Sequence, residues 1–183
     1  MSDLPTAPPV RVRPLDLAED ATAEAVHRIG RAAYAVEAGL IGFDGIPALR
    51  ESLAELRARP LHWLGAVTGG GEITGGEIAG GEIAGGEIAG GEIAGFLAWE
   101  EDPAGGGVCV DRLCVDPGWF RRGVAGALVG RLLAEVPPGR TVSVTTGARN
   151  TPAVALYERL GFARGADFSP VAGLVMASFV RRV

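Results

Sequence analysis

Two short stretches of this chain set chemically useful residue types at useful spacings. In the first, Arg121, Arg122, Gly123, Val124, Ala125 and Gly126 open a helical pattern directly after an apolar strand pattern. The leading N–H groups of a helix lack intrahelical acceptors and carry a positive partial charge, so anions settle there. Gly123, Ala125 and Gly126 are small enough to let a pyrophosphate reach the backbone, and Arg121 and Arg122 add charge at the rim. In the second, Asn150, Ala153, Tyr157, Gly161 and Phe162 follow at helical spacing. That pattern places a phenol on one face of a short helix, where it can give a proton to a departing group. Each stretch also has a plain structural reading. The first could be a strand–helix turn with exposed arginines, Asn150 a cap for a helix beginning near Pro152, and Tyr157 a core residue. Other phosphate sites fit less well. The Gly-Lys-Ser/Thr of a P-loop is absent, as is the Gly-x-Gly-x-x-Gly with a following acidic residue of a dinucleotide fold.

The elements that must position these residues are legible in outline. Residues 10–14 alternate apolar and basic side chains, as a first strand does. Residues 17–40 place Ala25, Ile29, Ala32, Ala33, Val36 and Leu40 at helical spacing, with Asp20 or Thr22 as a cap. A turn over 42–47 leads to a second helix over 48–58, with Leu49, Leu53 and Leu56 on one side and Pro60 as its stop. Strands are expected over 61–67, 96–100, 108–115 and 142–146, and helices over 123–135 and 152–160. A terminal hairpin joins 162–168 to 174–180, with Pro170 and Gly173 in its turn. This order predicts a mixed α/β protein: a central sheet with helices on both faces.

Residues 70–94 are five tandem pentapeptides, GGEIT followed by GGEIA units. With four removed, an ordinary hairpin remains. Strand side chains repeat every two residues, so a unit of five flips the Ile to the other face at each step. The array therefore reads as an expansion looped out of a β-hairpin, an insertion that closure entropy tolerates. A β-solenoid of pentapeptide coils is the alternative, with few units for a stacked core.

Composition narrows the classes. A net charge of −5 with no dominant basic stripe argues against nucleic acid as the partner. No stretch is apolar and long enough for a membrane span, and residues 1–9 read as a loose Pro-rich tail, not a signal peptide. Cys109 and Cys114 fall in one strand; alternation sends them to opposite faces, so they are expected as free thiols in a reducing cytoplasm. His27 and His62 are isolated, and no His/Cys/Asp cluster has metal-ligand spacing, so no metal is expected. A reactive thiolate at Cys109 or Cys114 would need a neighbouring base, and none is evident.

The motifs together resemble the GNAT superfamily of N-acetyltransferases. Leu113, Cys114, Val115, Asp116 and Pro117 supply that family's strand ending in Val-x-Pro. Phe120 through Ala125 supply its Arg/Gln-x-x-Gly-x-Gly/Ala loop, with Phe120 standing where Arg or Gln is usual, and the Asn150-to-Phe162 spacing matches its second motif. The likeness covers residues 108–180 well and 10–67 only in element order. It implies a single domain over 10–183 that transfers an acetyl group from acetyl-CoA to a primary amine within a ternary complex. By resemblance, Leu113, Cys114 and Val115 line the acetyl and pantetheine portion. The amides of 122–126 hold the pyrophosphate beside Arg121, and Asn150, Ala153 and Tyr157 flank the pantetheine arm between splayed strands. Tyr157 is the expected general acid.

For the base, Asp111 shares a face with Leu113 and Val115 by period two, and an isolated buried carboxylate there could serve. Glu37 and Glu100 are other carboxylates near the acceptor side, and a water chain is a further route. The acceptor is expected over the first two helices, around Tyr34, Glu37, Ile41, Phe43 and Asp44. Small amines, antibiotics, amino acids and protein N-termini all fit. A non-catalytic acyl-CoA sensor on the same fold and an ordinary interaction domain are the competing classes. The apolar strand 174–180 fits either a homodimer contact or an internal place in the sheet.

Overall fold

The computed structural model describes residues 10–69, 91–103 and 105–183. In chain order it runs β1 (Val10–Pro14), α1 (Asp20–Ile41), α2 (Leu53–Ala58), β2 (His62–Thr68), β3 (Ile93–Glu101), β4 (Gly107–Val115), α3 (Val124–Glu135), β5 (Thr141–Gly147), α4 (Thr151–Arg159), β6 (Ala163–Arg164), β7 (Phe168–Val171) and β8 (Leu174–Arg182). Short 3-10 turns occupy Pro47–Leu49 and Pro117–Trp119. The strands form one mixed sheet in the order β1-β2-β3-β4-β5-β8-β6, with β7 also on β8. Neighbours are antiparallel except β4 and β5, the parallel pair, whose connection needs a crossover helix and receives α3. One apolar cluster packs α3 and Tyr157 of α4 against one face, through Leu128, Val129, Leu132, Val142 and Phe179. The other packs α1 and α2 against the opposite face, through Val26, Ile29, Leu56, Phe96 and Cys114. Helices on both faces are thus as the sequence predicts.

Several expectations shift in detail. The buried line of α1 is Ala23, Val26, Ile29, Gly30 and Ile41, whereas Val36 and Leu40 are exposed. Gly30 sits on the inner line, against the Phe96 ring, where an added Cβ would make an ordinary contact at 3.5 Å. Neither Asp20 nor Thr22 caps the helix: Glu19 holds that position without a side-chain cap, and Asp20 pairs with Arg57. The helix expected over 48–58 breaks in two, because Ser52 and Glu55 form a capping box that starts α2 afresh. The terminal hairpin is also divided. β6 and β7 both pair with β8, and Pro170 lies within β7 rather than in the turn. β8 lies between β5 and β6, so it is internal and offers no free edge for pairing across a dimer.

Residues 70–90 of the pentapeptide array lie outside the described residues, as does the tail at 1–9, while its last residues, Gly91 to Ala94, lead into β3. The hairpin stem around the array is paired as expected: Val67 opposes Ile93, and the Thr68 N–H donates to the Glu92 carbonyl at 2.8 Å. Among the described residues, no helix is long and apolar enough to cross a membrane.

One irregularity matters for the site. Along β3 and β4, Ala98 opposes Arg112 but Trp99 opposes Val110, leaving Asp111 as an extra residue. Such a bulge resets the alternation of faces. Val108 and Val110 face the α3 cluster before it, and Leu113 and Val115 face it after. Asp111 therefore does not share a face with Leu113 and Val115 by simple period two. The same reset corrects the reading of the cysteines: Cys109, between Val108 and Val110, points to the same face as Cys114. Both thiols are free; Cys114 is buried and Cys109 is half-buried.

Candidate functional site

The bulge coincides with a split in the sheet. β4 and β5 pair from Gly107↔Thr141 to Val110↔Val144 and no further. Beyond that point β4 stays paired with β3 as far as Val115↔Gly95, and β5 stays paired with β8 as far as Gly147↔Met176. Each half is held from its outer side, so the seam opens as a wedge. Across it, the inward backbone groups of β4 at Leu113 and Val115 have no strand partner, whereas those of Cys114 turn the other way, to Phe96 of β3. Unpaired main-chain groups must be satisfied by water or ligand.

The start of α3 lies at the mouth of this wedge. Gly123, at φ 80°, is its N-cap, and Arg121 also takes a left-handed backbone at φ 62°. The N–H groups of Val124, Ala125 and Gly126 begin the helix without intrahelical acceptors. A side chain added at Gly123 or Gly126 would meet nothing within 4 Å, so the approach to these amides is open. Val124 turns inward and is buried, and a side chain at Gly95 would strike its Cγ1 at 3.0 Å and the Cys114 carbonyl at 2.8 Å. Gly95 thus lets α3 begin close to the split. Arg121 and Arg122 are exposed, the latter stacked 5.0 Å from the Trp119 ring, and Phe120 is 41% exposed. Gly123→Ala is expected to cost about 1 kcal/mol in a denaturant titration, because an L side chain is unfavourable in left-handed backbone.

On the far side of the wedge, α4 begins at Asn150, whose Oδ1 accepts the Ala153 N–H at 3.3 Å while its Nδ2 donates to Glu37 of α1 at 3.1 Å. Tyr157 is 3% exposed and packs against Phe162 and Phe179 at ring distances of 5.5 and 5.4 Å. Its hydroxyl makes no hydrogen bond among the described residues, yet no buried side-chain polar atom there is left unpaired. The ring is therefore core while the oxygen still reaches open space. Burial, then the charges of Glu37 and Cys114, push its pKa up, so it is a phenol at neutral pH. Tyr34 is raised likewise by burial, and the Cys114 thiol is pushed up to about 12, chiefly by burial. A thiol so held is not a ready nucleophile. Tyr34, Glu37, Cys114 and Tyr157 come from three different elements, and the fold brings them within electrostatic reach of one another.

Asp111 is otherwise placed. Its carboxylate takes Arg112 Nε at 2.8 Å and Arg59 Nη1 at 3.1 Å. A role as base rests on an isolated buried carboxylate, and this one is doubly ion-paired on the α2 side. Phe43 is half-buried, covering Gly45, while Asp44 and Glu100 are exposed. A cavity of about 300 Å³ lined by Pro14, Leu61, His62, Trp99 and Glu135 lies at the other end of the sheet. There Trp99 opposes Val110 rather than Val115.

With this geometry in place, residues 78–162 match the acetyltransferase (GNAT) family. The matched stretch, just under half of the chain, resembles a GNAT acetyltransferase domain. Its fold is similar to that of an acetyltransferase from Thermus thermophilus, at 16% identity and TM-score 0.65 over 96% of this chain and 97% of that one. It is also similar to the ribosomal-protein-S18-alanine N-acetyltransferase of Escherichia coli, at 17% identity and TM-score 0.63 over 94% and 93% of the two chains. UPF0157 protein YqkA of Bacillus subtilis (strain 168) is 29% identical over 147 residues, which is 80% of this chain. The chain spans about a third of that relative's length, 36%.

For a GNAT domain, the split seam and the open helix start fit a long anionic coenzyme: amides for its diphosphate, unpaired strand groups for its amide-bearing arm. Sequence reasoning missed three contributors. Thr146 and the Gly147 N–H hold Glu37 from β5, and Arg112 is buried beside Tyr34. Gly147 could have been suspected, since a glycine closing a strand often marks a close approach. A side chain there would meet Ile41 Cγ2 at 2.5 Å.

Proposed function

We propose that this GNAT domain moves an acetyl group from acetyl-CoA to a primary amine directly, within a ternary complex. The observation that carries the reading is the split between β4 and β5, with an open helix N-terminus on one side and a protonated buried phenol on the other. Acetyl-CoA supplies an acyl thioester whose thiol departs. The Val124, Ala125 and Gly126 amides, flanked by Arg121, Arg122 and Gly123, hold its pyrophosphate. Leu113 and Val115, on either side of Cys114, offer main-chain groups to its arm, and Ala153 lies along the facing helix. Tyr157, kept protonated by burial, gives its proton to the departing sulfur and regains one from the acylated nitrogen. An ammonium and a thioester thereby become an amide, a thiol and one proton released to water.

The acceptor enters beside α1, over Tyr34, Glu37, Ile41 and Phe43. The E. coli structural relative is named for acetylating the alanine of a ribosomal protein. A free peptide N-terminus is accordingly one member of the acceptor class proposed here, together with amino acids, polyamines and aminoglycosides.

Calorimetric titration with acetyl-CoA is expected to give saturable binding near one per chain. Thiol release measured over a panel of Ala-initiated peptide, amino acids, spermidine and an aminoglycoside then identifies the acceptor. Binding without transfer to any amine would favour an acyl-CoA sensor, and no binding by folded protein would sink the reading.

A further inference from the structure

Glu37 belongs to α1, yet the groups that hold it come from the end of β5 and the start of α4. Thr146 Oγ1 donates to its Oε1 at 3.2 Å, the Gly147 N–H at 3.3 Å and Asn150 Nδ2 at 3.1 Å. All three converge on one oxygen. Among the described residues, Oε2 accepts no hydrogen bond and Glu37 forms no ion pair, although Glu51, Glu101, Glu135 and Asp116 each do. The titratable groups coupled to it are Tyr34 on its own helix, Cys114 on β4 and Tyr157 on α4. Burial keeps all three protonated and neutral, and none of them is a cation in any state. The nearby Arg149 donates to the Ile41 carbonyl at 3.4 Å, and Arg112 is engaged by Glu51 and Asp111. A carboxylate locked through one oxygen, with the other free and no cation of its own, is prepared for a cationic ligand bearing a removable proton.

We infer that Glu37 takes the proton from the acceptor ammonium, and that Asn150 is its positioning residue. The inference rests on the amine-acetylation reading above and names the base which that reading leaves open. In the step, an ammonium N–H bond breaks, the proton passes to Glu37 Oε2, and the electron pair stays on nitrogen for attack. Glu37 later returns the proton to water. Asn150 uses its two ends separately: the oxygen caps α4 and the NH₂ tethers the base. Asn150 thereby fixes the distance between the acceptor side on α1 and the phenol one helix away.

Three variants test this with the best acceptor of the amine panel. Glu37→Gln is expected to lower kcat/KM about 100-fold near neutral pH, with unchanged acetyl-CoA binding. Its rate should climb with pH as free amine becomes available, narrowing the gap from wild type. A wild-type rate and pH profile in Glu37→Gln would overturn the assignment. Asn150→Ser and Asn150→Asp both retain an oxygen to cap α4 and lose the donor to Glu37. Asn150→Ser is expected to keep the wild-type melting temperature, and in both variants kcat/KM for the amine, at saturating acetyl-CoA, falls about tenfold. The Asp variant, with a second carboxylate beside Glu37, should also move the acid limb of the profile upward. Independently of turnover, the Glu37 carboxyl carbon resonance, assigned by its loss in Glu37→Gln, should shift in Asn150→Ser. Unchanged kinetics and resonance in the Asn150 variants would overturn the positioning role alone. No thiol release by wild type with any amine would overturn the acetyltransferase reading itself, and this role with it.

Discussion

Tyr157→Phe is expected to reduce turnover about 100- to 10,000-fold, the range over which a positioned acid accelerates a proton transfer. The substitution removes one oxygen and keeps the ring that packs on Phe162 and Phe179, so the fold should survive. It also removes no hydrogen bond within the described residues, so no buried partner is stranded. Acetyl-CoA affinity should therefore stay within a few-fold of wild type, while steady-state thiol release collapses. The reason for expecting acid rather than base behaviour is electrostatic. Burial first, then the Glu37 carboxylate, stabilise the neutral phenol. A variant that turns over at the wild-type rate would make Tyr157 a core residue and move the proton donation to water or Tyr34.

Arg112→Met is expected to destabilise the protein by about 2–3 kcal/mol, the second large effect. The Arg112 side chain is 5% exposed and bonds Glu51 at 2.7 Å and Asp111 at 2.8 Å, while Glu51 is 11% exposed and also takes Arg59 at 2.7 Å. The main cost lies in leaving a partly buried Glu51 with a weakened set of partners, not in the loss of one attraction. Arg59 remains, which keeps the expected cost at or below the low end for a sealed pair. Replacing Glu51 by Leu in the same chain should recover part of the loss, since the stranded charge then disappears.

Stability should also depend on pH through Glu51. Burial by itself would raise the Glu51 carboxyl, but hydrogen bonds and charge from Arg112, then Arg59, outweigh it and hold the group below its ordinary value of 4.5. A carboxylate depressed in the folded state adds stability above its ordinary range and loses it as pH falls through the lowered value. Urea unfolding from neutral pH down into the acid range should show that loss in wild type, and less of it in Arg112→Met. A variant as stable as wild type would mean that water or Arg59 fully replaces the guanidinium.

The consequence for function is one of support. The Glu51, Arg59, Asp111 and Arg112 network joins the chain before α2 to the bulge of β4. His27 adds a contact of 2.8 Å to the Glu51 carbonyl from α1. Loosening this corner should disturb the acceptor side before the coenzyme side, because Arg28 still ties α1 to Asp116 at the exit of β4.

Local chemistry was enough for much of this protein. The Gly123-to-Gly126 turn, the Asn150 cap and the Tyr157 spacing are short-range patterns, fixed by residues within a few positions of one another. Strand and helix order followed from periodicity for the same reason, as did the two-faced sheet. Where that reading slipped along α1, contacts distant in sequence had intervened: Val26 and Ile29 pack into one cluster with Leu56, Phe96 and Cys114, and that cluster sets the inner line of the helix. Over 48–58 the cause was local, a Ser52 and Glu55 box that divides the apolar pattern.

The site needed the tertiary structure. Period two puts Asp111 beside Leu113 and makes it the natural base, but one bulged residue in β4 reverses the faces. Only the packed sheet shows that β4 and β5 part at Val110↔Val144, and only there does α1 bring Glu37 onto Thr146, Gly147 and Asn150. Those partners lie far from Glu37 in the chain, on elements that the sheet alone brings beside α1. No periodicity carries that information, because the sheet register and the missing side chain at Gly147, not local propensity, decide which carboxylate faces the opening.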